Sequence, residues 1–255
     1  MNRVVFSLIA LAVLLVMIAP AMGADLATLQ DKGTISFAMS GQYPPFNFVD
    51  EDNELAGFDV QICSEIAGRM NLEPRPVSTA WDGIVAGLLA GKYDLICGSM
   101  AITEKRLEAL DFSDPYYRSG AQLFVREGSP YDSVDALEDK KIGVTLGTTY
   151  EEWVRDNVSN VKVRTYKGVP DMVMELSSGR LDGFITDRIV GAMAIDEKGA
   201  PIEMAGPLLY EERMGIAAPK GTPELVEAIN EALESMKEDS TYREISMKWL
   251  KIDAR

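Results

Sequence analysis

Short apolar runs alternate with amphipathic helical patterns along most of this chain. Residues 34–39 form a strand-like run, and residues 57–70 repeat apolar side chains at helical spacing. Such alternation predicts an α/β fold with mainly parallel strands. Further strands are predicted at residues 94–97, 121–125, 141–144, 161–166 and 181–185, and further helices at residues 81–90, 150–158, 171–178, 223–237 and 242–250.

The N-terminal stretch, residues 1–24, has the features of a secretory signal peptide. Arg3 supplies the positive charge, residues 4–19 are apolar except for Ser7, and the small residues that follow offer cleavage sites. The apolar run is shorter than the ~20 residues that a membrane-spanning helix needs. An uncleaved anchor is the alternative to a cleaved signal. Either way, the sequence predicts a protein exported to the periplasm or the extracellular side.

The composition excludes several classes of function. With 25 Lys+Arg against 40 Asp+Glu, the net charge is −15, and no basic block stands out, so binding to nucleic acid is not expected. The chain has no histidine, which excludes a Ser-His-Asp triad, a Cys-His pair and His-ligated zinc. Because the glycine-rich nucleotide-binding motifs are also missing, no cofactor or metal is predicted.

The two cysteines, Cys63 and Cys97, allow two interpretations. Export to an oxidising compartment permits a disulfide between them. Free cysteine, however, is also among the most commonly buried residues. The sequence does not show whether their Cα atoms lie within the ~7 Å that a disulfide requires, so both interpretations stay open.

Two strands of the predicted sheet share a local pattern. LLAGKYDLICGS (residues 88–99) aligns without gaps on LSSGRLDGFITD (residues 176–187). The first segment ends on Ser99 and the second on Asp187. Since open α/β sheets bind ligands at the carboxyl ends of their strands, these two segments predict a binding edge.

The segment GSMAITEKR, residues 98–106, predicts an anion site. It contains a strand end, a turn and a helix start with Thr103 as the N-cap. Free N–H groups at a helix N-terminus attract anions, and Arg106 one turn later could bind a carboxylate through two hydrogen bonds. The alternative is a surface arginine in a charged helix face with Glu104 and Lys105.

Taken together, several segments resemble the polar amino-acid family of periplasmic solute-binding proteins, the receptors of ABC importers. The resemblance covers nearly all of the chain after residue 24. Its matching segments are residues 43–62, 81–106, 111–117 (DFSDPYY), 142–151 (IGVTLGTTYE) and 179–187 (GRLDGFITD), followed by the closing helices. It implies a two-lobed periplasmic-binding-protein fold, with two α/β domains joined by two hinge strands. Lobe 1 would hold residues 25–116 and 215–255, and lobe 2 residues 117–214.

The resemblance also implies roles for individual residues. Arg106 would hold the α-carboxylate of an amino acid and Asp187 its α-ammonium, so that one zwitterion bridges the lobes and closes the hinge. The alternative for Asp187 is a solvated helix N-cap. The other expected ligand-binding positions are the aromatic Tyr43 and Trp81, the polar turn at Thr148 and Thr149, and Ser40, Ser99, Met100 and Ala101 of the first lobe.

Two positions depart from the family pattern. Ala101 stands where relatives often carry Ser or Thr to bind the ammonium, so one hydroxyl is missing. Ser40 stands where relatives selective for basic amino acids often hold an acid. The second departure favours a ligand with a neutral side chain, unless Glu151 or Glu152 supplies the charge.

The expected function is extracytoplasmic binding of an L-α-amino acid, or a close derivative such as an opine, by a monomer that delivers it to the membrane permease of an ABC transporter. One alternative is an enzyme, because the chain also resembles exported cyclohexadienyl dehydratases. Their catalytic Glu follows the motif Asp by three residues, and Val190 stands there in this chain. Another alternative, a ligand sensor that docks on a membrane receptor, would use the same cleft.

Overall fold

The computed structural model describes residues 25–255, except for the side chains of residues 197 and 198. The predicted signal peptide, residues 1–24, lies outside the described residues. Between residues 25 and 255, no helix has both the length and the apolar character that crossing a membrane requires.

The described chain consists of helices packed around one large and one small sheet. Its helices are α1 (Leu26–Lys32), α2 (Phe58–Arg69), α3 (Ile84–Leu89), α4 (Glu104–Leu107), α5 (Thr149–Asn157), α6 (Val169–Ser177), α7 (Arg188–Lys198), α8 (Pro223–Glu238) and α9 (Thr241–Leu250). Its strands are β1 (Thr34–Met39), β2 (Gln42–Tyr43), β3 (Asn47–Val49), β4 (Leu55–Ala56), β5 (Glu73–Ser78), β6 (Leu95–Ala101), β7 (Leu110–Phe112), β8 (Tyr117–Arg126), β9 (Lys141–Thr145), β10 (Lys162–Tyr166), β11 (Gly183–Asp187) and β12 (Ile202–Pro219).

The large sheet has the order β10-β9-β11-β8-β12-β6-β1-β5, and β7 pairs with β12. At its two ends the strands are parallel, β1 with β5 and β6, and β9 with β10 and β11. The two middle strands, β8 and β12, run antiparallel to each other and to their outer neighbours. The prediction of a mainly parallel sheet is therefore wrong at the centre, where the sheet is mixed.

The arrangement of strands divides the fold into two lobes. The first lobe contains β1, β5 and β6 with α2 and α3, and the second contains β9, β10 and β11 with α5, α6 and α7. The antiparallel pair β8 and β12 runs between them, as the predicted two-stranded hinge requires. The C-terminal helices α8 and α9 return to the first lobe and pack on α2. They do so because α8 has one apolar face, and that face must be buried.

Most helix and strand predictions lie within two residues of the observed bounds, but several elements are new. The elements that were not predicted are α1, β2, β3, β4, β5, β7, α7 and β12. The helix predicted at residues 81–90 is a 3₁₀ turn, Trp81–Gly83, followed by α3. The predicted N-cap Thr103 is confirmed, since its Oγ1 accepts a hydrogen bond from the N–H of Arg106 at 3.2 Å.

The structure decides between the two interpretations of the cysteines. Cys63 on α2 and Cys97 on β6 form a disulfide, with their Cα atoms 6.6 Å apart. Both side chains are buried in the core of the first lobe. The bond fixes α2 against the strand that ends in the predicted binding edge.

Candidate ligand-binding site

A cavity lies between the two lobes, where the end of β6 meets the turn before α5. Its walls come from both lobes and from the hinge strand β12. The residues that line it are Ser40, Gln42, Tyr43, Trp81, Gly98, Ser99, Ala101, Arg106, Thr145, Thr148, Thr149, Tyr150, Lys167, Gly168 and Glu212.

The structure brings most of the predicted site residues together in the wall of this cavity. Those that line it are Ser40, Tyr43, Trp81, Ser99, Ala101, Arg106, Thr148 and Thr149. Met100 does not line it, and instead packs in an apolar cluster with Ala38, Ile84 and Leu88. The reason is that successive side chains of a strand point to opposite faces. Ser99 and Ala101 thus face the cavity, and Met100 between them faces the core.

Arg106 reaches the cavity from the short helix α4. Its Nη1 donates to the backbone carbonyl of Ala101 at 2.7 Å, which fixes the guanidinium beside the end of β6. Burial lowers the pKa of Arg106, while the nearby carboxylate of Glu212 opposes that shift. A guanidinium has five N–H donors, so most of them are left for an anionic ligand group.

Asp187 ends β11 and is fully buried. Its Oδ1 accepts hydrogen bonds from the hydroxyl of Ser119 at 2.8 Å and from the N–H of Ile189 at 2.7 Å. Its Oδ2 has no hydrogen-bond partner in the described part of the chain. The cap alternative is thus right in part, because Asp187 caps α7 with one oxygen but is shielded from solvent rather than solvated. Burial raises its pKa to about 7.

Asp187 lies behind the cavity wall rather than in it. Tyr43 contributes to that wall, and the charge of Asp187, after burial, is the next cause that raises the pKa of the Tyr43 hydroxyl. The hydroxyl of Tyr43 also lies 3.4 Å from that of Tyr150 on the other lobe. In this conformation Tyr43 and Tyr150 both form part of the cavity wall, and Asp187 lies outside it.

A buried hydrogen-bond network around Asp59 supports the first-lobe wall. Asp59 accepts hydrogen bonds from Tyr116 Oη at 2.6 Å, Ser99 Oγ at 2.9 Å and Asn47 Nδ2 at 2.7 Å. The Oδ1 of Asn47 in turn accepts from Ser40 Oγ at 3.0 Å. Burial raises the pKa of Asp59 to about 6, against the lowering effect of these hydrogen bonds. One buried carboxylate thus positions two cavity-lining serines.

The lobes touch each other on both sides of the cavity. Lys105 of α4 forms an ion pair with Glu152 of α5 at 2.6 Å. Gly168 lies so close to Gln42 that a Cβ at residue 168 would be 2.5 Å from the Gln42 Cβ. The structure therefore shows the lobes closed over the cavity.

The buried polar groups near the cavity are incompletely bonded. Among the described residues, the buried side-chain atoms without a hydrogen-bond partner are Tyr117 Oη, Thr186 Oγ1, Asp187 Oδ2, Tyr210 Oη and Glu212 Oε2. These atoms lie on the hinge strands and the end of β11, and of their residues Glu212 lines the cavity. Buried polar atoms are nearly always paired, so a cluster of unpaired ones marks a place where a polar ligand completes them.

The sequence as a whole decides the family. Residues 35–252 match the family described as bacterial extracellular solute-binding proteins, family 3. The chain belongs to this family.

The solute-binding protein has relatives among characterised proteins and solved structures. It is 34% identical over 227 residues to the L-cystine-binding protein TcyJ of Escherichia coli (strain K12), covering 88% of this chain and 85% of TcyJ. Its structure matches an ancestral arginine-binding protein bound to arginine with a TM-score of 0.81 and 37% identity, covering 85% and 98% of the two chains. It also matches the ancestral amino acid-binding protein AncCDT-1, a precursor of cyclohexadienyl dehydratase, with a TM-score of 0.83 and 32% identity, covering 88% and 99%.

The structure of this solute-binding protein adds cavity residues that the sequence reasoning missed. They are Tyr150, Lys167, Gly168 and Glu212. Glu212 lies in β12, where the charged segment YEER (residues 210–213) lacks the alternation of apolar and polar residues that predicts a strand. The two acids that the sequence offered instead are engaged elsewhere, since Glu151 pairs with Arg155 and Glu152 with Lys105.

Proposed function

We propose that this protein binds an L-α-amino acid, or a close derivative such as an opine, between its lobes and delivers it to the permease of an ABC importer. The observation that carries the proposal is a cavity lined by Arg106 and by Glu212, whose Oε2 has no hydrogen-bond partner among the described residues, with the unpartnered Oδ2 of Asp187 behind its wall. A small zwitterion would complete both poles. Two of the relatives are named as binding cystine and arginine, both of which are α-amino acids, and this agrees with the proposed class of ligand.

In the proposed complex, Arg106 holds the α-carboxylate, helped by the backbone N–H groups of Ala101 and Thr149. Thr149 is the first residue of α5, where the helix leaves N–H groups unbonded. Asp187 receives the α-ammonium once the ligand displaces the Tyr43 hydroxyl. Charge-assisted hydrogen bonds contribute ~1.5–3 kcal/mol each, so four or five of them reach the ~8 kcal/mol of micromolar binding.

The remaining predicted positions shape the pocket. We assign Tyr43 and Trp81 to contacts with the ligand side chain, and Ser40, Ser99, Thr148 and Thr149 to polar contacts. Trp81 supports this assignment because its ring packs over Gly98, where a Cβ would lie 3.5 Å from the ring. Met100 is left to packing, since it faces the core of the first lobe.

The domain boundaries proposed for the lobes are residues 25–116 with 215–255, and residues 117–214. The support is the register of the hinge, in which Tyr117 of β8 stands opposite Met214 of β12. The two proposed boundaries, where the chain passes from one lobe to the other, therefore lie opposite each other in the antiparallel pair. Bending there would move the lobes as rigid bodies.

We propose that the protein works as an exported monomer, in the periplasm or outside the cell, after cleavage of residues 1–24. Its partner is the membrane permease, and its strong negative charge argues against nucleic acid. Turnover is not proposed. The position of the dehydratase glutamate holds Val190, an aliphatic side chain that is 1% exposed and cannot transfer a proton.

The test is a thermal-shift screen of the purified chain from residue 25 against the amino acids and opines. A ligand at 100 times its dissociation constant should add about 2.7 kcal/mol of stability. Acetate and methylammonium, which carry one pole each, serve as matched controls and should give no shift. If no amino acid or opine raises the melting temperature, the proposed function is wrong.

A further inference from the structure

Glu212 is the one carboxylate among the residues that line the cavity in the described chain. It lies on the hinge strand β12 and its side chain is 8% exposed. Its Oε2 has no hydrogen-bond partner in residues 25–255. Burial raises the pKa of the Glu212 carboxyl, and hydrogen bonding from Thr149 and Tyr150 opposes that shift. A buried carboxylate oxygen without a donor is unfavourable, so the arrangement calls for a ligand group that donates.

The register of the sheet places Glu212 on the same face as Asp187. Glu212 stands opposite Ser119 of β8, and Asp187 stands opposite Ala121 of the same strand. Residues 119 and 121 of a strand point to one face, and cross-strand partners share that face. Ser119 itself donates to Asp187 at 2.8 Å, which shows that the side chains meet there.

Ala101 belongs to this face as well. It stands opposite Met214 of β12, two residues after Glu212, and it lines the cavity. The position at which the family resemblance implies a hydroxyl for the ligand ammonium therefore lies next to Glu212 on the neighbouring strand. Where residue 101 supplies no hydroxyl, a carboxylate stands beside it.

The charges on this face are unbalanced without a ligand. Two buried carboxylates, Asp187 and Glu212, stand near one half-buried guanidinium, that of Arg106. The other cation in the cavity wall, Lys167, is exposed to solvent. The two acids are close enough that the charge of Glu212 helps, after burial, to raise the pKa of Asp187. An ammonium has three N–H donors and one positive charge, and can bond to both carboxylates at once.

From this arrangement we infer that Glu212 binds the ligand α-ammonium together with Asp187, as the acceptor that Ala101 cannot provide. The inference depends on the proposed function, since it assigns a second acceptor to the same amino-acid head group. It places Glu212 at the head group rather than at the ligand side chain. It also explains how a protein without the usual hydroxyl can still hold a primary amine.

The experiment compares amino acids with their des-amino counterparts in Glu212→Gln. The probe pairs are L-arginine with 5-guanidinopentanoate, L-glutamine with glutaric acid monoamide, and L-cystine with 3,3′-dithiodipropionate, measured by calorimetry on the chain from residue 25. The pair whose amino acid binds wild type most tightly is used. Glu211→Gln is the matched control, because Glu211 precedes Glu212 on β12 and is exposed.

We expect wild type to prefer the amino acid over its des-amino counterpart, and Glu212→Gln to reduce that preference about 10-fold or more, the size of one charge-assisted hydrogen bond. The affinity for the des-amino acid should stay the same or increase. The control should keep the wild-type preference. Glu212→Asp serves as a second variant if Glu212→Gln does not fold, and its shorter carboxylate should reduce the preference partially.

Three outcomes overturn the assignment. Equal weakening of both members of the pair would mean that Glu212 acts only on the structure of the hinge. An unchanged preference would mean that Asp187 alone binds the ammonium. A Glu212→Gln variant that loses only its discrimination between L-arginine and the neutral L-citrulline would place Glu212 at the ligand side chain. If another amino acid from the thermal-shift screen binds wild type and none of these three does, that amino acid and its des-amino counterpart are used instead. If no amino acid binds, the proposed function is wrong and the inference fails with it.

Discussion

Gly168 and Gln42 meet across the cleft without room for a further carbon atom. A Cβ built on Gly168 would lie 2.5 Å from the Cβ of Gln42 and 2.6 Å from its backbone oxygen. The backbone at Gly168 is extended, with φ −169°, so alanine brings no strain of its own. The contact between the lobes alone requires glycine there.

Gly168→Ala is therefore expected to hinder closure. Forcing a methyl group into a packed contact costs ~1–3 kcal/mol, which should weaken ligand binding by roughly 5- to 150-fold. The stability without ligand should change little. Small-angle X-ray scattering at saturating ligand measures closure directly, and full compaction of the variant would contradict the prediction. Gly68→Ala, where the Cβ meets nothing within 4 Å, is the matched control.

Arg106→Lys keeps the positive charge but loses the planar fork that binds a carboxylate through two hydrogen bonds. Binding should weaken about 10-fold or more, and Arg106→Ala should abolish the thermal shift. The melting temperature without ligand should remain within a few degrees of wild type, because the guanidinium bonds only one carbonyl in the described fold. The exposed Arg75→Lys should behave like wild type. Unchanged affinity in both Arg106 variants would remove Arg106 from the site.

Ligand affinity should increase with pH around neutrality. Burial raises the pKa of Asp187 to about 7, so in the closed protein this carboxyl is largely protonated below that pH and cannot accept an ammonium. Between about pH 6 and about pH 8 the ionised fraction increases roughly 10-fold, and the association constant should increase by a similar factor. Asp187→Asn should bind more weakly and with a flat profile. A flat profile in wild type would contradict the role of Asp187.

The same raised pKa affects the stability of the ligand-free protein in the opposite direction. A carboxyl whose folded pKa lies above its unfolded value stabilises the fold at low pH and loses this contribution as the pH rises through that window. For Asp187 the window runs from 3.8 to about 7. Urea unfolding without ligand should therefore show the free energy of unfolding falling across this range. Asp187→Asn should fall less steeply, and an equal slope in both proteins would contradict the prediction.

Asp59→Ala should destabilise the first lobe. The substitution leaves the buried donors of Tyr116, Ser99 and Asn47 without their acceptor, and each such group costs ~1–3 kcal/mol. The free energy of unfolding should decrease by about 3 kcal/mol or more, measured by chemical denaturation. Asp31→Ala, on the exposed side of α1, should have no comparable effect. A loss below about 1 kcal/mol would show that the network is not stabilising.

Reduction of the Cys63–Cys97 disulfide should lower stability through the unfolded state. The two cysteines are 34 residues apart, and closing a loop of that size stabilises by ~4 kcal/mol in the chain-entropy description. Denaturation with and without a reducing agent measures the difference. The double variant Cys63→Ala, Cys97→Ala controls for reagent effects, because its stability should not respond to reduction.

Features that depend on neighbouring residues were predictable from the sequence. Thr103 was recognisable as an N-cap because a cap needs only a hydroxyl three residues before the N–H that it accepts from. The position of Arg106, about one turn into the helix, followed from that cap. The strand end at Asp187 followed from the turn at Gly179, which precedes the strand. Each of these signals lies within one turn or one strand.

Glu212 and Met100 show what local patterns cannot reveal. Met100 was expected to line the pocket, with β6 ending at Cys97, whereas β6 continues to Ala101 and Met100 packs on its core side. No local pattern indicated that Glu212 lines the cavity. Its position depends on the pairing of β8 with β12, at residues almost 100 positions apart in the chain. Strand register is a property of two segments together.

The amino-acid sequence by itself predicted the α/β class and the family, both of which are confirmed, because periodicity, caps and ordered motifs are written in consecutive residues. It also supplied the proposals of an export signal and of a carboxylate-binding role for Arg106. The tertiary structure alone decided the disulfide, the closed contact of Gly168 with Gln42 and the shared face of Ala101, Glu212 and Asp187. These features arise where distant segments meet, and the distances and burial that control their chemistry exist only after the sheet has formed.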